Sequence, residues 1–354
     1  MFFAQFFHTN NRRKIRQKIN RNQNNNNIMN SSQRKIKTKT LSSPPKNNND
    51  ECNRPRNHIV KDASSEYTFS YKQYGIAKKV SVLQTPDEDT WPGGALWDIG
   101  VLLAKVLVMI NSPSPSGTMT KNSELHVDRL KTPGLWPKSW KQCNVLEFGC
   151  GVGLTGIVAA SLGAKLSLLT DLDVVVDKVT KPNVELNRNL FGIGQKVIAM
   201  PLCWGNEIDE QNCRKILDEN FKVVKGPSRR KTKKGKSITS PENNSSIEKS
   251  SDPDIILIGD VAYQHKPGAP SHFDILLSSL LKFATTDSTT IVFGTRMRMP
   301  ASMDLLEMFR EHFDEVVNPP VEAGELDLAF HERNLGRNSL ITIHVFKRKS
   351  TMVG

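Results

Sequence analysis

Three glycines at alternate positions, Gly149, Gly151 and Gly153, follow the short apolar run Val145, Leu146 and Phe148. An apolar helical pattern then runs from Leu154 to Leu162, and Gly163 stops it. Lys165–Thr170 reads as a second strand with Asp171 at its end. Backbone without Cβ atoms can approach a ligand closely. A helix start behind such a loop offers N–H groups that have no partner within the helix. An acid after the second strand can accept the hydroxyls of a ribose diol. The unit is therefore suited to a nucleotide-like cofactor. Its spacing leaves open which one. Gly151, Gly153 and Gly156 spell G-x-G-x-x-G, and Asp171 lies twenty residues after Gly151, which also fits a dinucleotide. A tight packing turn without a ligand is the third reading.

The elements that must position this loop alternate between strand and helix. Glu66–Ile76 alternates weakly and reads as an edge strand or hairpin. Trp91-Pro92-Gly93-Gly94 breaks the chain before Ala95–Ile110, a helix apolar nearly all round. Taken alone, Trp91 and Trp97 read as core. Leu172–Phe191 is helical with a break at Pro182, and Asn183 and Asn187 fall on one face. Val197–Trp204 is a third strand and Asn206–Phe221 an amphipathic helix. Asp254–Val261 is a fourth strand, apolar almost throughout, as a strand covered on both faces should be. Phe273–Phe283 is a helix, Thr289–Thr295 a fifth strand and Ala301–Phe313 a helix. Phe313–Asn318 and Leu340–Lys347 complete the set. The pattern predicts an α/β, doubly wound, mostly parallel seven-stranded sheet with its last strand antiparallel.

Composition divides the chain. Residues 1–66 form a basic arm rich in Asn, Lys, Arg and Ser, read as disordered. The folded domain is expected over 67–350, with low-complexity insertions at 112–141 and 222–251. The net charge is +13, but residues 1–49 carry eleven Lys/Arg and 222–236 carry eight, neither with an acid. The remainder has 30 Lys/Arg against 36 Asp/Glu, so the folded part is no nucleic-acid binder by charge. The five cysteines show no C-x-x-C pair and no zinc spacing, so no metal site and no structural disulfide is expected. No apolar run reaches the roughly 18 residues of a membrane span. The basic cluster in 222–236 resembles a nuclear localisation signal. The arm is too poor in Ser before position 31 to read as a typical transit peptide. A cytoplasmic, partly nuclear protein is expected.

With Glu147 two residues before the first glycine, the run resembles the E-x-G-x-G-x-G first motif of seven-strand S-adenosylmethionine-dependent methyltransferases. Four further stretches resemble one branch, the non-histone protein-lysine methyltransferases that act on chaperones, ATPases and elongation factors. They are Trp97-Asp98, Leu202-Cys203-Trp204-Gly205, the tetrad Asp260-Val261-Ala262-Tyr263 and, more loosely, Arg296-Met297-Arg298. The resemblance implies S-adenosylmethionine as cofactor. Gly149, Cys150 and Gly151 would line its methionine end with Glu147 beneath. Asp171 would take the ribose hydroxyls and Trp204 would stack near the adenine. Trp97 and Gly259 would complete the pocket. Cys150 and Val152 depart from the alanine and threonine common in the branch.

The acceptor chemistry fits these positions. A lysine amine, with an ordinary pKa of about 10.4, must lose its proton before it can attack. Desolvation in an aromatic channel favours that. Tyr263 would supply a wall and a cation–π contact. Asp260 would orient the amine rather than deprotonate it, because a carboxylate raises an amine's pKa. The expected partner is a protein substrate and the expected state a monomer. The alternative on the same fold is methylation of a small molecule, arginine or histidine. An NAD(P)-dependent oxidoreductase would need a hydride-transfer constellation, and no Tyr-x-x-x-Lys pair stands out. A binding module using its basic segments on RNA is the remaining alternative.

Overall fold

The structure, a computed structural model, describes residues 66–72, 78–112, 128–221, 251–261, 272–297, 301–322 and 341–350. Eight strands form the main sheet. Five of them are parallel: β3 (Asn144–Phe148), β4 (Leu166–Asp171), β5 (Lys196–Pro201), β6 (Ile255–Gly259) and β7 (Thr290–Arg296). β8 (Phe313–Glu315), β9 (Val321–Glu322) and β10 (Ile341–Arg348) follow at one edge. The order is β5-β4-β3-β6-β7-β10-β8, with β9 pairing β10. β10 runs antiparallel to β7 and to β8, as expected of a late strand entering without a crossover helix. The doubly wound sheet read from the sequence is thus present, with the two-residue β9 added.

The central strands explain themselves by alternation. Val145, Ile255, Leu257, Val292 and Ile343 face one apolar layer, while Leu146, Phe148, Ile256, Ile258 and Phe293 face the other. The first layer is completed by α1 (Asp98–Asn111) and α2 (Leu154–Ser161), and the second by α4 (Glu207–Phe221), α5 (Phe273–Phe283) and α6 (Ala301–His312). Each such side chain contributes roughly 1.5–3 kcal/mol on burial. α1 reaches the sheet closely because β6 and β7 carry glycines beneath it. A Cβ at Gly294 would lie 2.8 Å from Ile99 Cγ2, and one at Gly259 3.4 Å from Leu103 Cδ1.

Three local details sharpen the sequence reading, one by bearing out its hairpin alternative and two by differing from it. The weak alternation at the start is one half of a hairpin. β1 (Glu66–Ser70) pairs antiparallel with β2 (Lys79–Leu83) in a separate two-stranded sheet. The helix after Asp171 is a short turn, Asp173–Val175, then a wide turn, Val176–Thr180, then α3 (Lys181–Leu186). Pro182, at the start of α3, has no N–H for a preceding carbonyl, and the wide turn absorbs that loss. Finally, 112–141 is more than an insertion. Its described part from 128 onward buries Leu130 and Leu135, and Trp140–Gln142 forms a helical turn leading into β3. The arm before Glu66, residues 222–250 of the second insertion, and Tyr263 lie outside the described residues.

Candidate functional site

The glycine loop lies at the carboxyl end of β3, with the ends of β4 and β6 on either side. Gly149, Gly151 and Gly153 all have positive φ (65°, 52° and 79°), which is why the alternation is glycine. Four amide hydrogens of the loop and the following turn are committed internally. Cys150 N–H donates to Thr170 O (2.9 Å), Gly151 N–H to Asp171 Oδ2 (2.8 Å) and Gly153 N–H to Cys150 O (2.8 Å). Gly156 N–H, in the first turn of α2, donates to Glu147 Oε2 (2.9 Å). A diphosphate draws on such N–H groups, and these four are taken. Gly156 also owes its identity to packing. A Cβ there would lie 2.7 Å from Glu147 Oε2 and 2.7 Å from Leu169 Cγ. The third glycine of the G-x-G-x-x-G string therefore makes room for a carboxylate.

Both acids sit where the sequence reading put them. Glu147 is buried beneath the loop, and burial pushes its carboxyl up to about 8, against the hydrogen bonds from Gly156 and Thr155. Asp171 is half-buried, and burial likewise raises its pKa against the hydrogen bonds from Gly151 and Leu172. Among the described residues neither is paired with a lysine or arginine. Each Asp171 oxygen accepts one backbone N–H (Gly151 2.8 Å, Leu172 2.8 Å). A carboxylate oxygen has two acceptor directions, so one on each remains for a hydroxyl.

The side walls are less as expected. Cys150 is buried, with its thiol 3.6 Å from Thr180 Oγ1. Val152 is likewise core, and its carbonyl accepts a hydrogen bond from Asn183 (3.0 Å). The open side of Gly259 faces Leu103 and Ile99, so its small size serves α1 rather than the crevice. Trp204 lies beside Gly149. A Cβ at Gly149 would be 3.7 Å from Trp204 Cζ2 and 3.5 Å from Val261 Cγ1. His272, absent from the sequence reading, stacks on Trp204 with centroids 5.9 Å apart and hydrogen-bonds Val261 O at 3.1 Å. The turn that carries Trp204 is fixed from α4 and α5. Cys203 N–H donates to Asp209 Oδ2 (2.9 Å), and Gly205 N–H to Ser279 Oγ (2.8 Å), itself bonded to Glu210 Oε1 (2.7 Å). Trp97 donates its ring N–H to Pro92 O (3.1 Å) and meets Trp91 edge-to-face at 5.7 Å. The Gly93 carbonyl presses on the glycine loop, since a Cβ at Gly151 would lie 2.9 Å from it.

Asp260 follows β6 with φ +53°, the one non-glycine residue with positive φ among the described residues, and its N–H donates to Gly294 O at 2.8 Å. A carboxylate in that conformation is held by its surroundings at a local cost. Its neighbour Val261 is the residue against Gly149. Arg296, at the end of β7, is buried and pairs with Asp98 at 3.3 Å, beside Trp97. The carboxyl ends of β3, β4, β5, β6 and β7 thus lie at one end of the sheet, where Arg296 ties the start of α1 to β7.

Residues 79–220 match the family model of lysine methyltransferases. The resemblance read from the sequence is borne out by this match. The matched segment spans β2 to α4 and contains the glycine loop, Asp171 and Trp204. Protein N-lysine methyltransferase METTL21A of Mus musculus is 40% identical over 67 residues, 19% of this chain and 29% of the relative. The ribosomal protein L11 methyltransferase of Ruminiclostridium cellulolyticum is 48% identical over 52 residues, 15% of this chain and 16% of the relative. The chain thus spans under a third of the length of these curated relatives. A solved ribosomal protein L11 methylase from Lactobacillus delbrueckii subsp. bulgaricus aligns over 64% of this chain and 77% of its own, with 14% identity and TM-score 0.32.

Proposed function

We propose that the chain is an S-adenosylmethionine-dependent protein-lysine N-methyltransferase acting on a non-histone protein. The observation that carries this reading is the hydrogen-bond accounting of the glycine loop. Its N–H groups at 150, 151, 153 and 156 are satisfied by protein acceptors, two of them carboxylates. With those four N–H groups taken and an acceptor direction left on each Asp171 oxygen, the loop favours a ligand that brings hydroxyl donors. The lysine methyltransferase family match and the carboxylates at 147 and 171 support the cofactor, and the branch resemblance supports lysine as acceptor.

The residues present fit that cofactor. Asp171 would hold its ribose hydroxyls, the backbone of Gly149–Gly151 its methionine end, and Trp204 and Trp97 its flanks. The bound cofactor supplies an activated methyl group on a sulfonium sulfur. What remains for the protein is to hold a neutral amine in line. Asp260, beside Val261 and the glycine loop, would accept a hydrogen bond from that amine and orient its lone pair. Tyr263 would wall the acceptor side. An apolar entry lowers the amine's pKa towards neutrality, which the Asp260 charge alone would not do.

The test combines cofactor, activity and acceptor. The protein is incubated with methyl-labelled S-adenosylmethionine and cell lysate, and the labelled protein is sequenced. Label on a lysine ε-amine is expected. Label on arginine, histidine or a small molecule would move the reading to the alternative acceptors. Tight NAD binding with no binding of S-adenosylhomocysteine would overturn it.

A further inference from the structure

β2 is an edge strand, and one side of its backbone is directed away from β1. The peptide groups on that side are occupied by two side-chain amides. Leu83 N–H donates to Asn183 Oδ1 at 2.7 Å, and Asn183 Nδ2 donates to Leu83 O at 3.0 Å. Ser81 N–H donates to Asn187 Oδ1 at 3.1 Å, and Asn187 Nδ2 donates to Ser81 O at 2.6 Å. The spacing explains the fit. Four residues of helix rise about 6 Å and two residues of strand about 6.6–6.8 Å. Two asparagines four apart thus stand where a third strand would supply its peptide groups.

The two amides differ in their second N–H. Asn187 donates it back to Asn183 O in its own helix, at 2.8 Å. Asn183 donates it to Val152 O in the glycine loop, at 3.0 Å. Both residues are buried. From Leu83 the chain continues into the turn that carries Trp91 and Trp97. Leu96 N–H donates to Gln84 Oε1 (2.8 Å) and Thr85 N–H to Gly94 O (2.9 Å). The Gly93 carbonyl then rests on Gly151. Asn183 therefore closes a ring from the glycine loop through the hairpin and the tryptophan turn back to the glycine loop.

We propose that Asn183 is a positioning residue for the S-adenosyl ligand, setting the spacing between the glycine loop and the Trp91–Trp97 turn. The inference rests on the cofactor reading above. Its test compares Asn183→Asp with Asn187→Asp in the full chain. Each keeps the acceptor for the β2 N–H and loses the donors. Only the first loses the bond to the loop. Thermal unfolding reads the structural share, which both variants should lose alike. Calorimetry with S-adenosylhomocysteine reads the positioning share. One lost hydrogen bond corresponds to about tenfold in affinity. That loss is expected for Asn183→Asp, with less than about twofold for Asn187→Asp. The KM for S-adenosylmethionine should rise in parallel while kcat is retained. Should both acids prevent folding, Asn183→Ala and Asn187→Ala carry the same comparison. Equal affinity losses in the two variants, or none at 183, would overturn the proposal alone. Failure of the unaltered chain to bind S-adenosylhomocysteine would overturn the cofactor reading as well.

Discussion

Glu147 and Gly156 meet at 2.9 Å, the carboxylate reaching from the strand under the loop to an amide in the first turn of the next helix. The contact needs a residue without a side chain at 156. Alanine there would place its Cβ 2.7 Å from Glu147 Oε2 and from Leu169 Cγ. Alanine is favoured over glycine in a helix by about 1 kcal/mol. Overpacking of a tight core costs about 1–3 kcal/mol. Gly156→Ala should therefore lower the denaturation midpoint, and an increase would show that the loop yields.

The same acid predicts a pH dependence of stability. Glu147 goes from 4.5 in the open chain to about 8 when folded. Between those values the folded state keeps a proton that the unfolded state has released, so stability falls as pH rises across that window. Asp171, also raised, acts with the same sign. Glu147→Gln retains an acceptor for Gly156 and removes the titration. Its denaturation midpoint should be flatter between pH 5 and 8, the difference in slope amounting to at most about 1.4 kcal/mol per pH unit. Parallel profiles for the two proteins would refute this assignment.

Asp171→Ala removes the expected diol acceptor and the partner of Gly151 N–H. Hydrogen bonds to a charged group contribute roughly 1.5–3 kcal/mol, so affinity for S-adenosylhomocysteine should drop about ten- to a hundredfold. An unchanged dissociation constant in a folded variant would place the ribose elsewhere.

Asp260→Asn isolates the charge. Asparagine tolerates the left-handed conformation that this position adopts at φ +53°. If the carboxylate orients an amine, turnover should fall by about tenfold to a thousandfold. S-adenosylhomocysteine affinity and melting temperature should change much less. Full turnover in the variant would leave Asp260 as a turn residue only.

The succession of strands and helices and the antiparallel last strand were legible because apolar alternation, glycine spacing and terminal acids are local signals. Asp171 and Glu147 could be placed from their offsets to the loop alone. The direction of the Cys150 thiol and the close approach of α1 to Gly259 could not, because both depend on contacts with residues distant in the chain. His272 was missed because nothing in its neighbourhood marks it. Its contact with Trp204 joins segments 68 residues apart. Asn183 and Asn187 were seen as one face, but their partners lie about 100 positions earlier in the chain.

The placement of Cys150 has one more consequence. The thiolate is the reactive form of cysteine. Burial, followed by the charges of Asp171 and Glu147, holds this thiol well above its ordinary pKa, and its sulfur points towards Thr180. On the proposed reading the cofactor is itself an alkylating agent, and Cys150 carries the sulfur nucleophile in the very loop that would cradle it. Keeping that sulfur protonated and turned towards Thr180 would then spare the protein from becoming its own methyl acceptor.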